Sequence, residues 1–150
     1  LLPDSRRIQA ISTFETQLSI RPVVKLSMGI GSNTDITVLV VHLMSGYPAG
    51  AQRQLDELTA AMSKMIPQDT CGIIVGDMNI NLLNTPLVAP PNWRIIRTGV
   101  ATQQKGGELD WGILYDPTNQ YGGTTVTVMQ QYKTGPNTSD HSVLRYNIPL

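Results

Sequence analysis

Cysteine is nearly absent from this 150-residue chain, which contains Cys71 alone. One cysteine excludes an internal disulfide framework and a zinc site built from several cysteines. Charged residues are also scarce, at 15% against about 25% in typical proteins. Because 11 Lys and Arg balance 11 Asp and Glu, there is no strongly basic or acidic tail and no sequence-wide case for binding a polyanion. A metal or a local basic cluster could still hold a phosphate.

Long apolar runs are missing as well. The longest, Ile36–Leu43 and Cys71–Gly76, are far shorter than the roughly 18 residues that a membrane helix needs. We therefore predict no membrane span. The chain starts Leu1-Leu2-Pro3-Asp4, without Met, a basic region or an apolar leader. We expect from this that it was processed or cut from something longer.

Several common catalytic patterns are absent too. No G-x-S-x-G nucleophile elbow occurs. Cys71 lies inside an apolar run, which is typical of an unreactive core thiol. Gly29-Ile30-Gly31 opens no predicted helix and has no third glycine in register, so it does not indicate a dinucleotide site.

The chain does contain strand-like segments around one clear helix. Leu55, Leu58, Met62 and Met65 recur at helical spacing, which predicts a helix over Ala51–Ile66. Alternating or continuous apolar residues predict strands at Arg7–Phe14, Val23–Met28, Ile36–His42, Cys71–Val75, Trp93–Thr98, Leu109–Tyr115, Thr124–Tyr132 and Val143–Ile148. This order predicts a mixed α+β protein rather than a regular parallel α/β fold.

Polar residues gather where the apolar strands begin or end. They are His42, Asp77, Asn79, Asp110, Asp140 and His141. Each alone is typical of a turn or strand cap. Together they suit a hard, oxygen-preferring cation such as Mg²⁺, and a histidine paired with a carboxylate can act as a general base.

The two neighbours Asp140 and His141 should point to opposite faces if their segment is extended. His42 or His141 would then need a carboxylate from elsewhere in the chain. Asp110 is the free candidate.

The ordered motifs resemble the endonuclease/exonuclease/phosphatase superfamily, which has the deoxyribonuclease I-like fold. They are Arg21-Pro22-Val23-Val24-Lys25, Val40-Val41-His42-Leu43-Met44-Ser45-Gly46, Gly76-Asp77-Met78-Asn79, Leu109-Asp110-Trp111 and Ser139-Asp140-His141. The stretch from Ala101 to Asp110 is most similar to the cytolethal distending toxin B-subunit branch. The resemblance runs from about Arg21 to the end of the chain.

The resemblance implies a metal-dependent phosphodiesterase, namely a toxin-type DNA endonuclease. In it His141 would be the general base that activates water, oriented by Asp110. His42 would protonate the leaving oxygen or stabilise the phosphorane-like charge of the transition state.

The remaining implied roles concern the phosphate and the cation. Asp77 and Asn79 would hold and orient the phosphate and the attacking water, and Arg21 would contact a phosphate with its planar fork. Asp140 would help to bind Mg²⁺ or another divalent cation, which would neutralise phosphate charge. DNA or another phosphoester would be the substrate, and the toxin likeness suggests secretion.

Two features of the family are not found. Its metal-binding Glu, preceded by an Asn, lies well upstream of the Arg-Pro strand, and neither Glu15, Glu57 nor Glu108 takes that position. The family fold is a four-layer αββα sandwich, and this chain supplies only part of it. We therefore expect residues 1–150 to be the C-terminal portion of one such domain, with an N-terminal companion segment or chain that covers its apolar sheet.

Two other functions stay open at this point. The missing Glu favours a non-catalytic binding module on the same fold. Phosphoinositide phosphatase activity is the other alternative, since the branch is associated with both reactions.

Overall fold

A computed structural model describes residues 7–14, 21, 23–30, 33–66 and 70–149. These described residues form eight strands and one helix. They are β1 (Arg7–Phe14), β2 (Val23–Ile30), β3 (Asn33–His42), α1 (Pro48–Met65), β4 (Cys71–Asp77), β5 (Trp93–Ile96), β6 (Asp110–Tyr115), β7 (Thr125–Gln130) and β8 (Val143–Asn147). The α+β class is as predicted.

Six of these strands form one mixed sheet in the order β1-β2-β3-β4-β6-β5. Only β3 and β4 pair in parallel. A parallel pair requires a crossover connection, and α1 supplies it. The strands β7 and β8 form a separate antiparallel pair. Both β3 and β4 therefore end at the same edge of the large sheet.

Helix α1 begins at Pro48, three residues before the predicted start at Ala51. Proline suits the first helical turn because its missing N–H has no partner there and its φ is already helical. Three of the four residues that predicted the helix, Leu55, Leu58 and Met62, are buried, whereas Met65 at the helix end is 39% exposed. The buried residues pack on one face of the large sheet, against residues such as Leu39 and Ile74.

The opposite face of the large sheet meets β7 and β8. Ile73 and Leu114 form a second apolar cluster there, joined by Val126 from β7 and Tyr146 from β8. Helix, large sheet and small sheet are thus three successive layers. Among the described residues, no helix combines the length and apolar character needed to cross a bilayer.

Gly76 of β4 is paired in register with Val41 of β3 and lies close to its backbone. Its φ is +138°, a conformation that residues with a side chain rarely adopt. A Cβ at this position would lie 2.1 Å from the Val41 carbonyl oxygen. Glycine therefore allows the two strand ends, with His42 and Asp77, to lie side by side.

Candidate active site

Three adjacent strands place one polar residue each in a row across the sheet. His42 of β3 is in register with Asp77 of β4, and Asp77 is in register with Asp110 of β6. Residues paired in this way point to the same face of a sheet. The row is held by backbone hydrogen bonds just beyond the strands, from the Leu43 N–H to the Asp77 carbonyl (2.9 Å) and from the Met78 N–H to the Leu109 carbonyl (2.8 Å).

His141 reaches this row from the segment that leads into β8. Its Nδ1 lies 2.7 Å from Asp110 Oδ2. A carboxylate can only accept, so Nδ1 donates and Nε2 is the ring nitrogen left to accept a proton. The backbone of His141 forms an isolated antiparallel bridge with Gln103. The histidine is therefore fixed through both its ring and its main chain.

Asp77 lies at the centre of the group. Its Oδ2 is 3.4 Å from His42 Nε2 and 3.8 Å from His141 Nε2. Its Oδ1 accepts a 3.0 Å hydrogen bond from the Asn79 N–H. One carboxylate thus faces both histidines of the chain.

Asn79 turns the chain sharply after β4. Its φ is +51°, a left-handed conformation that asparagine tolerates better than most residues. The turn lets its Nδ2 donate to the Leu43 carbonyl at 2.8 Å. Arg21 NH1 donates to that same carbonyl at 2.8 Å, and its NH2 lies 3.5 Å from Ser45 Oγ. Arg21 and Asn79 therefore meet one residue beyond His42.

Asp140 lies on the outer side of the group. Its Oδ1 is 4.0 Å from His141 Nε2, and its Oδ2 accepts from Gln103 Nε2 at 3.5 Å. The prediction that Asp140 and His141 point to opposite faces assumed an extended segment. The chain bends at Asp140 instead, which brings its carboxylate within ion-pair range of the neighbouring ring.

The electrostatics of the group raise two pKa values. Burial raises the pKa of Asp77, and the charge of Asp110 adds to this, against the opposing effects of the Asn79 N–H and the two histidines. Burial lowers the pKa of His141, but its hydrogen bond with Asp110 and the charges of Asp110, Asp77 and Asp140 outweigh this and raise it above its usual value. Clustered pKa shifts of this kind are typical of functional sites.

Comparison with known proteins gives a match in structure alone. No family model matches the sequence, and no curated protein does. TDP2 from Caenorhabditis elegans superposes with a TM-score of 0.71 at 14% identity, over 95% of this chain and 51% of that one. CdtB, the biologically active subunit of cytolethal distending toxin, gives 0.65 at 17%, over 92% and 56%. TDP2 from D. rerio, complexed with single strand DNA product, gives 0.61 at 15%, over 94% and 67%.

The chain has the deoxyribonuclease I-like fold. This confirms the fold that the motifs predicted. The chain spans only about half to two thirds of the length of these structures, between 51% and 67%. At such low identity the likeness concerns the fold, so the roles of individual residues rest on the geometry of this chain.

Asp77, Asp110 and His141 are also the described residues that could hold a metal ion together. One potential ligand atom from each lies within 4.8 Å of the others. Two carboxylates fit a hard divalent cation that keeps several of its waters. Asp140 lies beside this trio but is not part of it. Glu108, which is fully buried and paired with Arg97, is not a ligand here, and Glu15 lies outside the described residues.

Sequence reasoning did not find two groups that hold the candidate site in place. The Leu43 carbonyl joins Arg21 to Asn79, but a backbone atom leaves no signal in the sequence. Thr102 bonds the backbone at Asp110. It lies in the stretch from Ala101 to Asp110 that resembles the toxin branch, and this resemblance is the signal in the sequence that points to Thr102.

Proposed function

We propose that this chain carries the catalytic residues of a metal-dependent phosphodiesterase that cleaves DNA. The observation that supports this most strongly is the contact of His141 with Asp110, at 2.7 Å, beside Asp77 and His42. A fixed imidazole whose Nε2 is oriented to accept a proton is the arrangement that suits water activation. The matched structures include one with a single strand DNA product, and that supports DNA as the substrate class.

In the proposed reaction His141 Nε2 takes a proton from the attacking water. Asp110 holds the ring and stabilises the imidazolium that forms. Asp77 and Asn79 orient the water and the phosphate, and His42 supplies a proton to the leaving oxygen or stabilises the negative charge on the phosphoryl oxygens of the phosphorane-like transition state. Arg21, at the adjacent strand end, contacts a phosphate oxygen.

A divalent cation held by Asp77 and Asp110, with Asp140 at its outer side, would neutralise charge on the phosphate. The carboxylates are the ligand type that Mg²⁺ prefers. We take Mg²⁺ as the cation to test.

We also propose that the 150 residues are the C-terminal portion of one domain, completed by an N-terminal companion segment. Apolar side chains on the face of the large sheet that meets β7 and β8 support this, since Ile8, Ile11 and Val40 are 53%, 67% and 39% exposed. A cavity of about 370 Å³ opens on the same face, lined by residues such as Met28 and Val38. Intact-mass measurement of the natural protein tests the idea, and a mass of 16.4 kDa would contradict it.

The test of catalysis is plasmid nicking by the full natural polypeptide with Mg²⁺. His141→Ala should lower the rate by at least about 100-fold, the contribution of a general base. A chelator should abolish the reaction. Lys64→Ala, at the exposed end of α1, is the control and should nick at the original rate. Unchanged nicking in His141→Ala would defeat the assignment of the base.

A non-catalytic binding module is the second candidate. The observation that favours it is that neither Glu57 on α1 nor the buried Glu108 reaches the site. Such a module would bind DNA without turnover, and His141→Ala would not change that outcome. A parallel assay of phosphate release from a phosphoinositide separates DNA cleavage from a lipid phosphatase.

A further inference from the structure

Thr102 is an unusual residue in the connection between β5 and β6. It is polar, yet its exposed fraction is 0%. Its N–H donates to the Gly107 carbonyl at 3.0 Å, which closes the loop on itself. A buried hydroxyl must find partners to offset its lost hydration, and those partners lie at the candidate site.

The side chain of Thr102 holds the start of β6. Its Oγ1 accepts hydrogen bonds from two successive backbone N–H groups, those of Leu109 at 3.1 Å and Asp110 at 3.0 Å. These bonds fix the main chain at the residue whose carboxylate contacts His141.

The backbone of Thr102 holds the other partner. Its carbonyl accepts from the Ser142 N–H at 2.8 Å, one residue after His141. The next two residues extend this pairing, with Gln103 bridged to His141 and the Gln104 N–H donating to the Asp140 carbonyl at 2.9 Å. One residue therefore contacts the main chain beside both members of the Asp110–His141 pair.

The two members of that pair come from different layers. Asp110 begins β6 of the large sheet, whereas His141 leads into β8 of the small one. Among the described residues, no pairing of named strands joins the two sheets, so the 2.7 Å contact between Asp110 and His141 depends on the groups that connect the sheets. We propose that Thr102 is a positioning residue that sets the distance between Asp110 and His141. The effect of Thr102 on catalysis rests on the proposed function, whereas its effect on the distance between Asp110 and His141 does not.

The test compares Thr102→Val with Thr102→Ser. Valine keeps the branched shape and removes the acceptor for two N–H groups, whereas serine keeps the hydroxyl. Thr59→Val is the matched control, since Thr59 is also a buried threonine but bonds only within α1, to the Asp56 carbonyl at 3.1 Å. All rates are expressed per folded molecule, with the folded fraction taken from circular dichroism.

Two readouts are measured in the full natural polypeptide. The first is the downfield proton NMR signal of the imidazole N–H held between His141 and Asp110, identified by its loss in Asp110→Asn. The second is plasmid nicking, resolved into kcat and KM. In Thr102→Val we expect the signal to disappear and kcat to fall by about 10- to 100-fold, the effect of a misplacement near 1 Å, with KM changed less than about twofold. Thr102→Ser and Thr59→Val should keep both.

The outcomes separate the two proposals. If the signal and kcat of Thr102→Val match those of Thr59→Val, Thr102 has no positioning role. If the original protein does not nick DNA but Thr102→Val still loses the proton signal, the proposed function fails and the positioning role stands. Should Thr102→Val not fold, Thr102→Cys, which keeps a weaker acceptor, is expected to weaken the signal, and an unchanged signal there would overturn the proposal.

Discussion

Replacing Gly76 with alanine should be among the most damaging single changes in the chain. The new Cβ would lie 2.1 Å from the Val41 carbonyl oxygen, whereas real Cβ contacts are essentially never under 3.0 Å. The obstacle is backbone on both sides, so no side chain can rotate to relieve it. Strands β3 and β4 must separate by roughly an ångström, or β4 must twist.

Two costs add in Gly76→Ala. Holding a residue with a side chain at this φ costs about 1–3 kcal/mol. The clash adds to it and brings the total loss in free energy of unfolding to about 4 kcal/mol or more, a size that marks a specific structural conflict. In a chain of this length, where 1 kcal/mol shifts Tm by about 2–4 °C, we expect Tm to fall by at least about 8 °C.

Gly135→Ala is the matched control for this measurement. Gly135 has nearly the same φ, +136° against +138°, but a Cβ there would meet nothing within 4 Å. Urea denaturation of both variants separates the clash from the backbone strain. Gly135→Ala should lose only the strain, about 1–3 kcal/mol. Equal losses in the two variants would refute the argument from the Val41 carbonyl.

Two further predictions concern buried charge and pH. Arg97→Met should lower the free energy of unfolding by about 3 kcal/mol, because it leaves the fully buried Glu108 carboxylate without its cation; adding Glu108→Gln should recover part of this in denaturation experiments, and no recovery would contradict the pairing argument. The pKa of His141 in the folded protein is raised above 6.5. Protonation of His141 should therefore contribute its full stabilisation below pH 6.5, and this contribution should be lost as the pH rises through the raised pKa. Protonation of Asp77, whose pKa is raised above 3.8, should also stabilise the fold, and this contribution should be lost over a lower pH range. Asp110→Asn should flatten the pH dependence near neutrality, and an unchanged slope of unfolding free energy against pH would exclude His141 as its source.

Much of the fold could be predicted from the sequence, because runs of apolar residues indicate strands strongly. Nearly continuous hydrophobic residues at Ile36–His42 and Cys71–Val75 predicted two strands, with burial on both faces of the first. Both strands form, but Val40 of β3 is 39% exposed, so the prediction of burial on both faces was wrong for β3. Helix α1 followed from its spacing of leucine and methionine. Its first turn was missed because the apolar stripe begins only after Pro48.

The candidate site was partly predictable for a similar reason. The predicted strand boundaries indicate which side chains lie where a strand begins or ends, so His42, Asp77 and Asp110 could be expected at the ends of strands. Which strands are neighbours, and in which register, depends on long-range pairing that periodicity does not encode. The positions of Asp140 and Thr102 depend on loop conformation, and a loop's bends are set by tertiary contacts as much as by its residues. The catalytic and ligand-binding roles of the site residues stay predictions.

The contact between Asp110 and His141 crosses from one layer of the protein to the next. A chain in which the β7–β8 pair is not docked therefore has the six-stranded large sheet but lacks the contact between Asp110 and His141. On the proposed function, cleavage would require the small sheet to be docked on the large one, because only then do Asp110 and His141 meet.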